Sequence, residues 1–139
     1  MTALARMIAA LLWLAAGTLP AAATDAAPPD QVKAGEAIYA RCLACHALAY
    51  DRTGPRHCGL FGRRAGSVKG FAYSPAMQRA DIIWNARTLD RFLANPTQAV
   101  PGTTMGYAGV TDSKERSALI AYLRQANGSA ECLRQAERK

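Results

Sequence analysis

The sequence predicts an all-α domain of short helices and long loops, closed around a bound group rather than around its own side chains alone. Three observations predict it. Apolar residues recur at helical spacing only in short runs, with no alternating strand pattern between them. The stretch from Asp51 to Gly70 has no sustained periodicity, and "TGPRHCGLFGRRAGSVKG" within it holds five glycines. A loop of that length is stable only if something large packs against it. Finally, "CLACH" sets two of the four cysteines and one of the two histidines, Cys42, Cys45 and His46, within five residues.

Three chemistries compete for that pentapeptide. A structural zinc site needs a second Cys/His cluster at comparable spacing, and the adjacent His57 and Cys58 do not form one. A thiol-disulfide C-x-x-C sits beside a βαβ pattern, which is missing downstream. Covalent attachment of a c-type haem needs what is present: two cysteines to bond the porphyrin vinyl groups and an adjacent imidazole for the iron. A domain of about 110 residues in small helices cannot bury much core by itself, and a haem supplies an apolar centre.

The elements follow in order. Residues 1–23 open with one charge, Arg6, run through "MIAALLWLAAGTLP" and finish in "AAA". This reads as a secretory signal cut near Ala23, which places the protein in the periplasm, where disulfides are permitted. The alternative is an uncleaved anchor, against which the single basic residue and Pro20 argue. Residues 24–30 form a Pro/Ala linker, and residues 31–139 the domain. Asp30 is expected to cap a helix with Val32, Gly35, Tyr39 and Cys42 on one face. Ser74 and Pro75 start a short helix in "SPAMQR". "TLDRFLANP" carries Leu89, Phe92 and Leu93 on one face before Pro96 halts it. The last helix begins at Asp112, which forms a capping-box-like pair with Glu115. Its stripe is Leu119, Ile120, Tyr122 and Leu123, and Asn127 with Gly128 stops it.

A second axial ligand must come from Met77, Met105 or His57 once the signal is removed. Met105 lies in "VPGTTMGYAG", stiffened by Pro101 and flanked by Gly102 and Gly106, as functional loops are. Met77 sits in a short helix, where methionine is more often core filler. His57 follows the attachment site closely, so Met105 is the favoured ligand.

"CLACH", "TGP", "GLFGRRAG", "GFAYS", "IIW", "FLANP", "PGTTMGYAG" and "ALIAYL" stand in the order and spacing of class I cytochrome c, which the chain resembles from about Gly35 to Leu123. The resemblance implies the class I cytochrome c fold around one haem c, with thioethers at Cys42 and Cys45 and iron ligands His46 and Met105. It further implies that the Pro55 carbonyl accepts a hydrogen bond from the His46 ring, and that Arg63, Tyr73 and Trp84 hold a propionate. Thr103 matches a residue bracing the Met loop, and Gly35, Tyr39 and Tyr122 match the crossing of the first and last helices. Two positions depart from the pattern. Phe92 stands where Tyr is frequent near the sulfur, and Met77 replaces a polar Asn, so the distal side has fewer polar groups.

An iron held by His and Met has no open position for substrate and changes by one electron, so the resemblance implies an electron carrier and not an enzyme. Two other functions are peroxidase-like or small-ligand chemistry with the Met105 loop swung away, and service as a haem subunit of a periplasmic dehydrogenase. The chain carries 17 Lys+Arg against 10 Asp+Glu, and loss of Arg6 leaves 16 against 10, a net charge of +6. No basic stripe with interleaved aromatics points to nucleic acid. Redox proteins are the expected partners of a monomer, steered by Arg41, Arg52, Arg56, Lys69 and Lys114. Docking is expected to be modest, because Thr97, Gln98 and Thr104 stand where many relatives carry Lys. Cys58 and Cys132 remain once the thioethers are counted. In an oxidising compartment the leftover pair is expected to join and pin the tail "SAECLRQAERK" to the loop on the proximal side. Two free thiols or an intermolecular link are the alternatives.

Overall fold

A computed structural model describes residues 26–138. The signal segment, the first two residues of the linker and Lys139 lie outside the described residues. Among the described residues six helices follow one another: α1 Pro29–Tyr39, α2 Pro75–Arg79, α3 Ala86–Ala94, α4 Pro96–Ala99, α5 Ser113–Asn127 and α6 Ala130–Glu137. Among the described residues the only β pairing is an isolated antiparallel bridge between Arg64 and Ile83.

α1 starts two residues earlier than Asp30 capping requires. Pro29 occupies the first turn, Pro28 is the N-cap without a side-chain bond, and Asp30 lies inside the first turn. A proline there forfeits no hydrogen bond, and the Asp30 carboxylate sits favourably at the positive end of the helix dipole. Ser74 caps α2 by accepting the Met77 N–H at 3.2 Å. α3 buries Leu89, Phe92 and Leu93, and a reciprocal capping box between Asn85 and Thr88 begins it. Pro96 ends α3 but also opens α4, a single turn capped by Asn95, which accepts the Gln98 N–H at 3.1 Å.

Asp112 caps α5 by accepting the Glu115 N–H at 2.8 Å. The other half of the expected box is missing: the Glu115 carboxylate turns to the Arg41 guanidinium, at 2.9 and 3.2 Å. α5 therefore ties its first turn to the segment that carries "CLACH". After Gly128 the chain restarts as α6, a helix the apolar pattern of the tail does not reveal, with Ser129 accepting the Cys132 N–H at 3.3 Å. α6 buries Cys132 and leaves Leu133 exposed, so its attachment rests on the disulfide to Cys58, with Cα atoms 5.0 Å apart. Closing a loop of 74 residues this way stabilises by about 4 kcal/mol on the chain-entropy account.

α1 crosses α5 at Gly35, which is buried. A Cβ there would overlap the Ala118 carbonyl oxygen and lie 2.8 Å from Tyr122 Cβ, so the helices meet backbone to backbone only because the side chain is hydrogen. Beside this contact the rings of Tyr39 and Tyr122 pack with centroids 5.1 Å apart. Gly35→Val is expected to wedge α1 from α5 and destabilise the holoprotein by about 3 kcal/mol, read as a lower urea midpoint with unchanged slope. An unchanged midpoint would show that the crossing is not tight. α3 leans on α5, and Arg116 secures the junction through Asp90 at 2.8 Å and through the Val110 carbonyl at 2.9 Å. The buried set includes Leu60, Trp84, Leu89, Phe92, Leu93, Leu119 and Leu123, and these seven residues all also line one half-open cavity. The core is a shell.

Candidate functional site

"CLACH" folds as consecutive turns off the end of α1: the Cys42 N–H donates to the Tyr39 carbonyl at 2.8 Å, and the His46 N–H to the Cys42 carbonyl at 2.9 Å. Cys42 is half-buried, Cys45 exposed and His46 buried, and neither thiol is in a disulfide. Burial pushes the Cys42 thiol up, away from the thiolate that exchange chemistry uses. The His46 ring meets the Pro55 carbonyl through Nδ1 at 2.7 Å. With Nδ1 as donor, Nε2 is the nitrogen free to ligate a metal. Burial lowers the His46 pKa, partly offset by the Pro55 bond, and so favours the neutral imidazole that ligation requires.

The close fit of this ring depends on Gly54. A Cβ there would run into His46 Cε1 and lie 2.6 Å from both Nδ1 and Nε2, nearly equidistant over the ring. The Gly54 N–H holds the loop in place by donating to the Cys45 carbonyl at 2.7 Å. "TGP" shows the turn in the sequence, but nothing local shows that a ring presses on its glycine.

A cavity of about 510 Å³ opens beside His46. Cys42, Cys45, His46, Pro55, Arg63, Tyr73, Trp84, Thr103 and Met105 all line it, although they come from six separate stretches of chain. Met77 and His57 line it as well. Met105 is held in its loop by an N–H bond to Thr103 Oγ1 at 3.2 Å, and the Thr103 N–H returns to the Val100 carbonyl at 3.0 Å. Met77 is buried in α2. The rest of the wall is largely aliphatic and aromatic, with Trp84 and Phe92 ring centroids 5.0 Å apart.

The cavity lining also carries a half-buried cation. Arg63 is half-buried and donates to the Cys58 and Arg56 carbonyls, each at 3.0 Å. Among the described residues it has no carboxylate partner, and burial is the main cause lowering its pKa. The Tyr73 hydroxyl, which meets the Val68 backbone, and the Trp84 indole line the same cavity as Arg63. A half-buried guanidinium without a carboxylate partner suits an anion carried in by a ligand. A largely apolar cavity lined by an imidazole, two thioethers and a half-buried guanidinium fits a haem, whose ring is apolar and whose propionates are not. Among the described residues no three His, Cys, Asp or Glu side chains converge on a metal. A porphyrin supplies the remaining donors itself.

His57 is held away from a distal role. Its ring stacks on His46, with centroids 4.3 Å apart and planes at 22°, and its Nδ1 meets the Tyr39 hydroxyl at 2.9 Å. Burial, then the nearby His46 and Arg63, holds its pKa well below the usual range, while burial raises the Tyr39 hydroxyl far above its own. With both groups neutral, the phenol donates to Nδ1. Asn127, which the sequence marks only as a helix stop, accepts the Leu60 N–H at 2.8 Å and donates to the His57 carbonyl at 3.2 Å. No sequence signal points to that bridge, because its partners are 67 and 70 residues away.

Comparison with known proteins places this arrangement. The cytochrome c family model matches residues 32–127. Cytochrome c2 of Blastochloris viridis is 40% identical over 125 residues, covering 88% of this chain and 94% of that protein. Cytochrome c of Sesamum indicum is 41% identical over 109 residues, covering 76% of this chain and 98% of that one. Among solved structures, cytochrome cH from Methylobacterium extorquens superposes with a TM-score of 0.66 at 37% identity, covering 68% of this chain and 97% of that chain.

Proposed function

The chain belongs to the cytochrome c family, as a class I monohaem member with covalently bound haem c, and from that premise we propose that it is a soluble one-electron carrier of the periplasm. In this reading a signal is cut near Ala23, residues 24–30 are a linker and residues 31–139 are the working domain. One observation carries the proposal: the two cysteines, the Pro55-bonded imidazole, the Met105 loop and Arg63 all line a single cavity.

The bound haem supplies a one-electron couple at its iron. Cys42 and Cys45 would anchor the ring, and His46 would present Nε2 to it because Pro55 engages Nδ1. Met105 offers sulfur from a loop braced by Thr103. Arg63, Tyr73 and Trp84 would offer donors to a propionate, and the aliphatic wall would pack against the ring. With His46 and Met105 as its ligands, a bound haem iron would offer a substrate no coordination position, which is why the reading is a carrier and not an enzyme. Holding both ligands on braced turns keeps the geometry constant between oxidation states, as a carrier requires.

Redox proteins are the proposed partners of a monomer. Of the five cations available for steering, Arg41 is paired with Glu115 and Arg56 with Asp51, each at 2.9 Å. Arg52 donates to the Leu43 carbonyl. Among the described residues Lys69 and Lys114 form no ion pair. Such a thinned patch predicts electron exchange with an acidic redox protein whose second-order rate falls with ionic strength, but only a few-fold. Stopped-flow mixing over a salt series checks this. A flat profile would remove electrostatic steering from the account.

A further inference from the structure

We infer that Tyr39 and His57 form a positioning pair for the His46 imidazole, fixing the plane in which it meets the iron. The inference rests on His46 being an iron ligand, as proposed above. A hydrogen bond from Nδ1 to Pro55 anchors one corner of the ring but lets it rock about that corner. Gly54 limits the ring by close approach. The His57 ring, nearly parallel and 4.3 Å away, removes the remaining freedom, because tilting His46 must push a second ring.

His57 can do this only if it is itself fixed, and it is held from four directions. Tyr39 of α1 engages Nδ1 at 2.9 Å and so sets the ring plane. Its backbone N–H donates to the Ala47 and Leu48 carbonyls, both at 3.1 Å, which binds it to the residues that follow "CLACH". Asn127 of α5 holds its carbonyl at 3.2 Å. Its neighbour Cys58 is joined to Cys132 of α6. An aliphatic residue could fill the same volume, but it would have no ring plane to impose and no use for the Tyr39 hydroxyl. The C-terminal helix acquires a role in the same way: it anchors the loop that carries the positioning ring.

The test uses the ferric holoprotein and the variants Tyr39→Phe and His57→Leu. Proton NMR shifts of the haem methyl groups and the anisotropy of the low-spin EPR signal report the orientation of an axial imidazole, and packing that merely fills space does not set them. Tyr39→Phe is expected to shift the methyl resonances and the EPR anisotropy while leaving the far-red sulfur band in place, and His57→Leu to shift them further. Cys132→Ser is expected to move them in the same direction by a smaller amount. Unchanged resonances in Tyr39→Phe would overturn the pair, and that variant decides alone if His57→Leu does not fold. A wild-type ferric spectrum without a low-spin imidazole-ligated iron would instead overturn the function proposed above, so the two failures are distinguishable.

Discussion

Met105→Ala is expected to abolish the weak far-red band that a sulfur-ligated ferric haem shows, and to lower the midpoint potential by on the order of 0.1 V. Two thioethers line the cavity, so the choice between them is a real one. Met105 is partly buried on a loop whose backbone is held by Thr103 and Val100, so its sulfur can be aimed without moving a helix. Met77 is buried in the one-turn helix α2, within a cluster that includes Trp84, Leu89 and Phe92. Met77→Ala should therefore cost about 3 kcal/mol of stability through a lost core contact while retaining the band. The reverse pattern, with the band lost in Met77→Ala and kept in Met105→Ala, would exchange the roles of the two residues.

Replacing both Cys42 and Cys45 by Ala is expected to have the largest effect on the molecule. The wild-type chain should retain haem through acidified acetone, and the double variant should release it. Each single variant keeps one thioether and should retain colour. The consequence for the fold follows from the shell-like core. Leu60, Leu89, Leu93, Leu119 and Leu123 face a cavity of about 510 Å³ that the protein cannot fill by itself. A domain this small has little surplus burial, so the double variant stripped of haem should lose its cooperative thermal transition. Haem that remains attached to the double variant would contradict attachment at these residues.

The parts of the fold legible in the sequence are those governed by short-range rules. Leu89, Phe92 and Leu93 recur at helical spacing, and α3 buries all three. Ser74 before Pro75 reads as a helix start, and Ser74 is the cap of α2. What escapes is either one turn long or held from afar. α4 follows directly on the proline that stops α3, and a single turn has no periodicity to detect. α6 has one large aliphatic residue, Leu133, and leaves it exposed, so its docking lies in Cys132 and not in a stripe. Glu115 has the spacing of a capping box, yet Arg41, distant in sequence, captures its carboxylate. In the site, "CLACH" is readable because its chemistry is compressed into five residues. The pressure of His46 on Gly54 and the stacking of His57 on His46 exist only after the loop from Ala47 to Leu60 has wrapped back on itself.

The central claim is a single haem with both axial positions held by this chain and cycling by one electron. An optical redox titration of the purified holoprotein tests it most directly. The account predicts a single Nernstian step with a slope of about 59 mV, low-spin spectra in both states, the far-red band in the ferric state only, and no spectral change when carbon monoxide is added to the reduced protein. A high-spin reduced spectrum that binds carbon monoxide at once would show an open axial position and contradict the account.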